Sequence, residues 1–236
     1  MPTGAACAPA TFPPAVWRAG LRVPQPASFP YPLCVITDEK ISGRRHREVA
    51  AGALDGGAPM IQLREKGGDL RVLVEEGRAI RELCRRRGGC FIVNDRLDLA
   101  LAVEADGVHL GQEDVPAALA RRLLKPGMLL GVSTHSVEDA RAAEAAGADY
   151  IGFGPVFPTG TKTASRPAVG VEGIQAVRAA VRIPILAIGG MTLERLPDVI
   201  RAGANGVAVV SAIVGARDIR QATRTFLHLL GRGQTP

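Results

Sequence analysis

Three short segments of this chain read alike: Ala105-Asp106-Gly107-Val108, Ala148-Asp149-Tyr150-Ile151 and Ala204-Asn205-Gly206-Val207. Each closes a stretch of helical spacing and opens an apolar run, so the chain repeats a helix-to-strand joint. The runs are apolar throughout rather than alternating, the pattern of strands covered on both faces by helices in a parallel sheet. Eight such runs follow one another: residues 33–37, 60–63, 90–93, 107–110, 129–132, the first half of 149–163, 185–188 and 207–210.

Helix signals fill the intervals. Residues 44–54 run into Gly56-Gly57, and Asp69 caps a helix with Leu70, Leu73, Val74, Ile80, Leu83 and Cys84 at helical spacing, stopped by Gly88-Gly89. Pro116 suits a first turn, Ser136 and Asp139 have capping-box spacing, and Pro197 delays or kinks its helix. A last helix shows Ile219, Ala222, Phe226 and Leu229 on one face. Eight strand–helix units over residues 31–230 predict a compact α/β fold, the (β/α)8 TIM barrel, as a single domain. The alternative is an open doubly wound sheet, but no Gly-x-Gly-x-x-Gly follows the first strand.

Composition narrows the function classes. The 236 residues are 47% hydrophobic, enough for one large domain with a full core. No apolar run reaches the ~18 to 20 residues that span a bilayer, so no membrane role is expected. The net charge of +6 suits anionic partners, but aromatics are only 4% and scattered, which argues against a nucleic-acid surface. Cys7, Cys34, Cys84 and Cys90 lack metal-ligand spacing and read as reduced thiols, which predicts a cytoplasmic protein. Residues 1–30 hold seven prolines and no acidic residue, so we expect a disordered extension there and a short tail at 231–236. A homo-oligomer is left open by these features.

Polar residues collect at one end of the predicted strands. Gln62 to Lys66 follow the second strand, Asn94-Asp95 the third, Asp114 the fourth and Ser133 the fifth. Gly189-Gly190 follow the seventh and Ser211 the eighth. In barrels of this type the C-terminal face carries the active site. The loop after the sixth strand can be neither helix nor strand. Pro155 and Pro158 remove backbone donors, and Gly152, Gly154 and Gly160 let the main chain approach a ligand. It carries the hydroxyls of Thr159, Thr161 and Thr163 and the ammonium of Lys162. Of 29 basic residues only Lys40, Lys66, Lys125 and Lys162 are lysines, so a lysine here marks a place for a compact point charge.

Two anion sites emerge. One is uncharged: the amides of Gly189-Gly190 and Val210-Ser211, with hydroxyls from Thr159 and Thr161. The other is strongly cationic, with Arg64, Lys66 and Lys162. Asp95 and Asp114 face the same mouth, either as salt-bridge partners of those cations or as oxygen ligands of Mg2+ shared with a diphosphate. A neutral phosphate cradle beside a metal-assisted diphosphate site suggests two small phosphorylated substrates that are joined as diphosphate leaves.

The motifs Gln62-Leu63-Arg64-Glu65-Lys66, Asn94-Asp95-Arg96, His109-Leu110-Gly111-Gln112-Glu113-Asp114 and Gly131-Val132-Ser133-Thr134-His135 occur in this order. Gly154-Pro155-Val156-Phe157-Pro158-Thr159-Gly160-Thr161-Lys162, Ile188-Gly189-Gly190 and Val210-Ser211-Ala212-Ile213 complete the series. Together they resemble the thiamine phosphate synthase family over about residues 31–230. The resemblance implies a transferase that joins hydroxymethylpyrimidine diphosphate to the phosphate of hydroxyethylthiazole, or its carboxylated form, releasing diphosphate. It implies that Gln62, Leu63, Arg64, Glu65, Lys66, Asn94, Ser133 and Lys162 hold the pyrimidine diphosphate. Thr159, Gly160, Thr161, Gly190, Val210 and Ser211 would hold the thiazole phosphate, and Asp95 and Asp114 would bind Mg2+. Arg64, Lys66, Lys162 and Ser133 form the implied catalytic set. The resemblance also implies that diphosphate leaves first and that the thiazole nitrogen captures the pyrimidine methylene cation. No protein nucleophile is needed, so His109 and His135 stay outside that set. The alternatives are a thiazole tautomerase, which has no use for Lys66, Lys162, Asp95 and Asp114 together, and a non-catalytic sensor of thiamine phosphates.

Overall fold

A computed structural model describes residues 29–160 and 167–232. Eight parallel strands close into a barrel in sequence order: β1 (Leu33–Ile36), β2 (Met60–Leu63), β3 (Cys90–Asn94), β4 (Gly107–Leu110), β5 (Leu129–Thr134), β6 (Tyr150–Phe153), β7 (Ile185–Ile188) and β8 (Gly206–Val209). Closure comes from β8 against β1, with Leu33 opposite Val207 and Val35 opposite Val209. The helices between them are α1 (Glu39–Ser42), α2 (His46–Asp55), α3 (Leu70–Arg87), α4 (Leu97–Ala102), α5 (Ala117–Leu123), α6 (Val137–Ala145), α7 (Gly170–Ala180), α8 (Leu196–Arg201), α9 (Ser211–Val214) and α10 (Ile219–Arg232). Thr161 and Lys162, residues 1–28 of the extension expected at 1–30, and residues 233–236 of the tail expected at 231–236 lie outside the described residues. None of the described helices is long and apolar enough to cross a membrane.

Both faces of each strand are buried, and the strand period of two divides them. Leu33, Val35, Ile61, Leu63, Phe91, Val93, Val108 and Leu110 point outward into the large core under the helices. Cys34, Ile36, Met60, Cys90, Ile92, Leu129, Tyr150, Leu186 and Ala208 point inward and fill the barrel. Tyr31 and Phe29 join this inner cluster, with the Phe29 ring 5.2 Å from Tyr31 and 5.7 Å from Tyr150. Phe29 sits inside the stretch assigned above to the extension, and it packs because its ring meets two aromatic faces.

The repeated joint has a structural cause. Asp106 donates its N–H to Phe91 O at 2.8 Å while its Oδ2 accepts the Phe91 N–H at 2.8 Å. Asp149 makes the same reciprocal pair with Leu130, and Asn205 with Ile185. An arginine from the helix before the partner strand closes each one: Arg81 of α3 on Asp106, Arg121 of α5 on Asp149 and Arg178 of α7 on Asn205. These side chains stitch the starts of β4, β6 and β8 to the strands before them.

Helix boundaries follow their caps. Asp69 Oδ1 accepts the Arg71 N–H at the start of α3, and Gly88 ends it at φ 72°. Ser136 Oγ accepts the Asp139 N–H, but the Asp139 carboxylate takes the His135 N–H instead of completing the expected box. Pro197 lies at the start of α8, behind a 3-10 turn over Leu193–Arg195. Burial pushes the free thiols of Cys34, Cys84 and Cys90 up, Cys84 to about 12, so they stay protonated.

Candidate active site

The inward-facing positions at the C-terminal end of the strands are polar where those below them are apolar. Gln62 pairs with Ile36, Asn94 with His109, and Ser133 with Gly152, so β2 to β5 carry polar inward positions toward this end. His109 Nε2 hydrogen-bonds with Ser133 Oγ at 3.0 Å, and Nδ1 with the Tyr150 hydroxyl at 3.2 Å. Room for these rings comes from Gly131 and Gly152. A Cβ at Gly131 would lie within 2.5 Å of His109 and Tyr150 atoms, and one at Gly152 would meet His109 at 2.9 Å. His109 and Tyr150 were not among the expected site residues; two glycines facing inward on neighbouring strands are the sequence signal for them.

Leu63 is different. It faces outward into the helix-covered core at 2% exposure, so only its backbone can approach a substrate. The motif around it is contiguous in sequence, but a strand sends alternate residues to opposite sides.

Charge gathers beside this polar layer. Arg64 donates to Asp38 Oδ2 at 2.6 Å, and the exposed Lys66 Nζ contacts Asp95 Oδ2 at 2.5 Å. Asp95 and Asp114 lie within hydrogen-bond reach of one another, and Asp114 Oδ2 accepts the Gly111 N–H at 2.6 Å. Burial pushes the Asp114 carboxyl above the usual carboxylate range, and the neighbouring Asp95 charge adds to the rise against the pull of the Gly111 N–H and Lys66. Asp95 also holds a left-handed backbone, φ 64°, braced by Asp95 N–H to His109 O and Arg96 N–H to Asn94 O. Such a conformation in a residue with a Cβ is costly and concentrates at functional positions.

The mouth is therefore less cationic than the sequence implies. Among its described residues, Arg64 and Lys66 face three carboxylates: Asp38, Asp95 and Asp114. Asp38 is the acidic residue the sequence reading omitted. The salt-bridge alternative accounts for Asp95 through Lys66, and it leaves Asp114 beside a like charge.

Opposite lies the glycine-rich side. Val156 N–H donates to Ile188 O at 2.8 Å and Phe157 N–H to Gly189 O at 3.2 Å, which docks the loop after β6 onto the end of β7. Gly189 and Gly190 take φ of 97° and 62°, and a Cβ on Gly190 would press on Pro158 O at 2.7 Å. Arg195 donates to Gly190 O and lies over the Phe157 ring, 4.4 Å from its centre. Thr159 is half-buried, Gly160 is exposed, and Val210 and Ser211 begin the short α9. His135 hydrogen-bonds with Gly154 O, a structural task that explains it without catalysis.

The family model described as thiamine monophosphate synthase matches residues 33–213, from the first strand to α9. The chain belongs to the thiamine monophosphate synthase family. The thiamine-phosphate synthase of Moorella thermoacetica is 54% identical over 200 residues, covering 85% of this chain and 95% of that one. The enzyme of Chloroflexus aurantiacus is 51% identical over 199 residues, covering 84% and 92%. A solved thiamine phosphate pyrophosphorylase from Pyrococcus furiosus superposes with a TM-score of 0.80 at 40% identity, covering 87% of this chain and 98% of that one. The activity is thiamine-phosphate synthesis, a transferase reaction on small phosphorylated substrates in thiamine biosynthesis.

Proposed function

We propose that this barrel mouth transfers the pyrimidine methylene group of hydroxymethylpyrimidine diphosphate to the nitrogen of a thiazole phosphate, with diphosphate leaving. The supporting observation is the charge balance on the diphosphate side, where Asp38, Asp95 and Asp114 face Arg64 and Lys66. Beside three carboxylates a diphosphate gains from a further cation in the site. The raised Asp114 carboxyl beside Asp95 fits an oxygen-ligated divalent ion, Mg2+ by its ligand preference. When bound between Asp95 and Asp114, Mg2+ would neutralise charge on the diphosphate oxygens.

The chain's own residues then divide the work. Lys66, whose side chain is exposed, would turn from Asp95 to the diphosphate and leave that carboxylate to hold the ion. Arg64 stays oriented by Asp38 and presents its remaining donors. Lys162, outside the described residues, completes the cationic set. These groups act most strongly as the carbon–oxygen bond breaks and charge builds on the leaving diphosphate. Gln62, Asn94 and Ser133 hold the pyrimidine from the inward layer, with the Ser133 hydroxyl aligned by His109. Glu65 sets the turn that aims Lys66, since its Oε1 accepts the Lys66 and Gly67 N–H groups at 2.8 and 3.1 Å. Thr159, Gly160, Thr161, Gly190, Val210 and Ser211 hold the thiazole phosphate. The pyrimidine cation, stabilised by its ring amino group, is captured by the thiazole nitrogen. Protonated buried thiols suit a cytoplasmic enzyme.

The test is diphosphate release. It should require both substrates and Mg2+ and match thiamine phosphate formation mole for mole. Turnover unchanged in the presence of a chelator would remove the metal from the scheme, and the absence of diphosphate would remove the reaction.

A further inference from the structure

Behind the loop that carries Arg64 and Lys66 lies a second cluster with no part in the scheme above except through Glu65. Glu39 in α1, His46 at the start of α2 and Glu65 after β2 bring one ligand atom each within 4.8 Å of one another. His46 Nε2 lies 3.4 Å from Glu65 Oε2 and 3.8 Å from Glu39 Oε1. The His46 side chain is only 2% exposed, and among the described residues its Nε2 is the one buried side-chain nitrogen or oxygen without a hydrogen-bond partner. A buried imidazole nitrogen aimed at two carboxylate oxygens, with no hydrogen bond to either, is poorly explained by packing.

We propose that Glu39, His46 and Glu65 bind one Zn2+ ion. The spacing suits it. Four ligands at about 2.0–2.1 Å around a tetrahedral ion stand about 3.3–3.4 Å apart, close to the 3.4 Å between His46 and Glu65. Glu39 Oε1 accepts the His46 N–H at 3.1 Å, and its 42% exposed side chain leaves room to move in by the few tenths of an ångström needed. One imidazole with two carboxylates is a donor set for zinc rather than for magnesium. The fourth position of such an ion would be left for water.

The groups behind the ligands are also in place. Thr37 Oγ1 hydrogen-bonds with His46 Nδ1 at 2.8 Å, which directs Nε2 toward the carboxylates. Glu65 Oε1 is occupied by the Lys66 and Gly67 N–H groups, which leaves Oε2 for the ion. Zinc here ties α1, α2 and the β2 loop together and stiffens the segment that presents Arg64 and Lys66. That consequence rests on the function proposed above; the binding itself does not.

The experiment uses the full chain without an affinity tag, stripped with a chelator, exposed to zinc sulfate, dialysed and analysed for metal. Wild type should retain about one Zn2+ per chain, and X-ray absorption should show one imidazole among nitrogen and oxygen ligands. Asp95→Asn with Asp114→Asn should retain the zinc, and His46→Gln should lose it. If His46→Gln does not fold, Glu39→Gln serves instead, with affinity lowered at least about 10-fold. Wild type without zinc would overturn the proposal in favour of a charged imidazolium between two carboxylates. Full zinc in both His46→Gln and Glu39→Gln, or sulfur ligands in the spectrum, would overturn it too. Failure here leaves Mg2+-dependent diphosphate release untouched, and failure of that reaction leaves the zinc count untouched.

Discussion

The two ends of the barrel use the same kind of side chain in opposite ways. At the N-terminal end, Asp106 and Asp149 each accept a backbone N–H and an arginine, and Asn205 does the same with an amide oxygen. Burial raises both carboxyls there, but the neighbours that act on them pull the other way. At the C-terminal end, burial raises Asp114 and another carboxylate, Asp95, raises it further. One end satisfies its acids and is finished as structure. The other leaves like charges together, a cost to folding that fits the cation site proposed above. Polar residues at both ends are legible in sequence, and what separates stability from function is whether the partner is supplied by the chain.

Variants should break along this line. The largest effect is expected at the functional end, where Lys66→Ala should lower kcat about 10²- to 10³-fold, as loss of one transition-state donor does elsewhere. Its exposed pair with Asp95 carries no more than about 1 kcal/mol, so the melting temperature should barely move. A fall in Tm with intact kcat would place Lys66 on the structural side of the comparison.

Asp149→Ala should do the reverse. It strands the Leu130 N–H and takes from Arg121 its carboxylate partner, costing about 1–3 kcal/mol, which at about 2–4 °C per kcal/mol for a chain of this size lowers Tm by several degrees. kcat should stay near wild type. Asp149→Asn should be nearly neutral, since Asn205 already fills the equivalent place. Equal loss from both substitutions would show that the charge, not the accepting oxygen, holds this end.

The smallest shift carries the opposite sign. Because the folded chain holds the Asp114 proton more tightly than the unfolded one, stability falls as pH rises from the ordinary aspartate value through the raised one, and stays lower above it. Asp114→Asn should remove that dependence and raise Tm slightly at neutral pH without metal. A lower Tm, followed by thermal melts across pH, would mean that the Gly111 N–H contact outweighs the repulsion.

The barrel was legible because its strands are apolar on both sides. Met60–Leu63, Gly107–Leu110 and Ile185–Ile188 have the bounds their apolar runs suggest. Where the chain turns to chemistry the signal fades. β5 runs on through Ser133 and Thr134, which pair with Gly152 and Phe153, but its polar end does not read as strand. The four-residue α1 is too short for any period to show. Within the site, Asn94, Asp95, Asp114 and Ser133 declare themselves by standing at strand ends. Leu63 was carried along with its motif, though the period of two puts it outside. Asp38 was missed because its partner Arg64 is 26 residues away and nothing local marks the pair. The joint at Asp106, Asp149 and Asn205 shows in the sequence as a repeat, but its reciprocal bonds to the preceding strand are a property of the closed barrel.

The central claim is that Asp95 and Asp114 stand together in order to hold a divalent cation under the diphosphate. The most direct measurement is the Mg2+ concentration giving half-maximal diphosphate release in wild type, Asp95→Asn and Asp114→Asn, at saturating substrates. Each substitution should raise that concentration by at least about 10-fold while circular dichroism shows the fold retained. An unchanged Mg2+ response in both variants would mean that the pair is structural, and the contrast between the two ends of the barrel would lose its functional meaning.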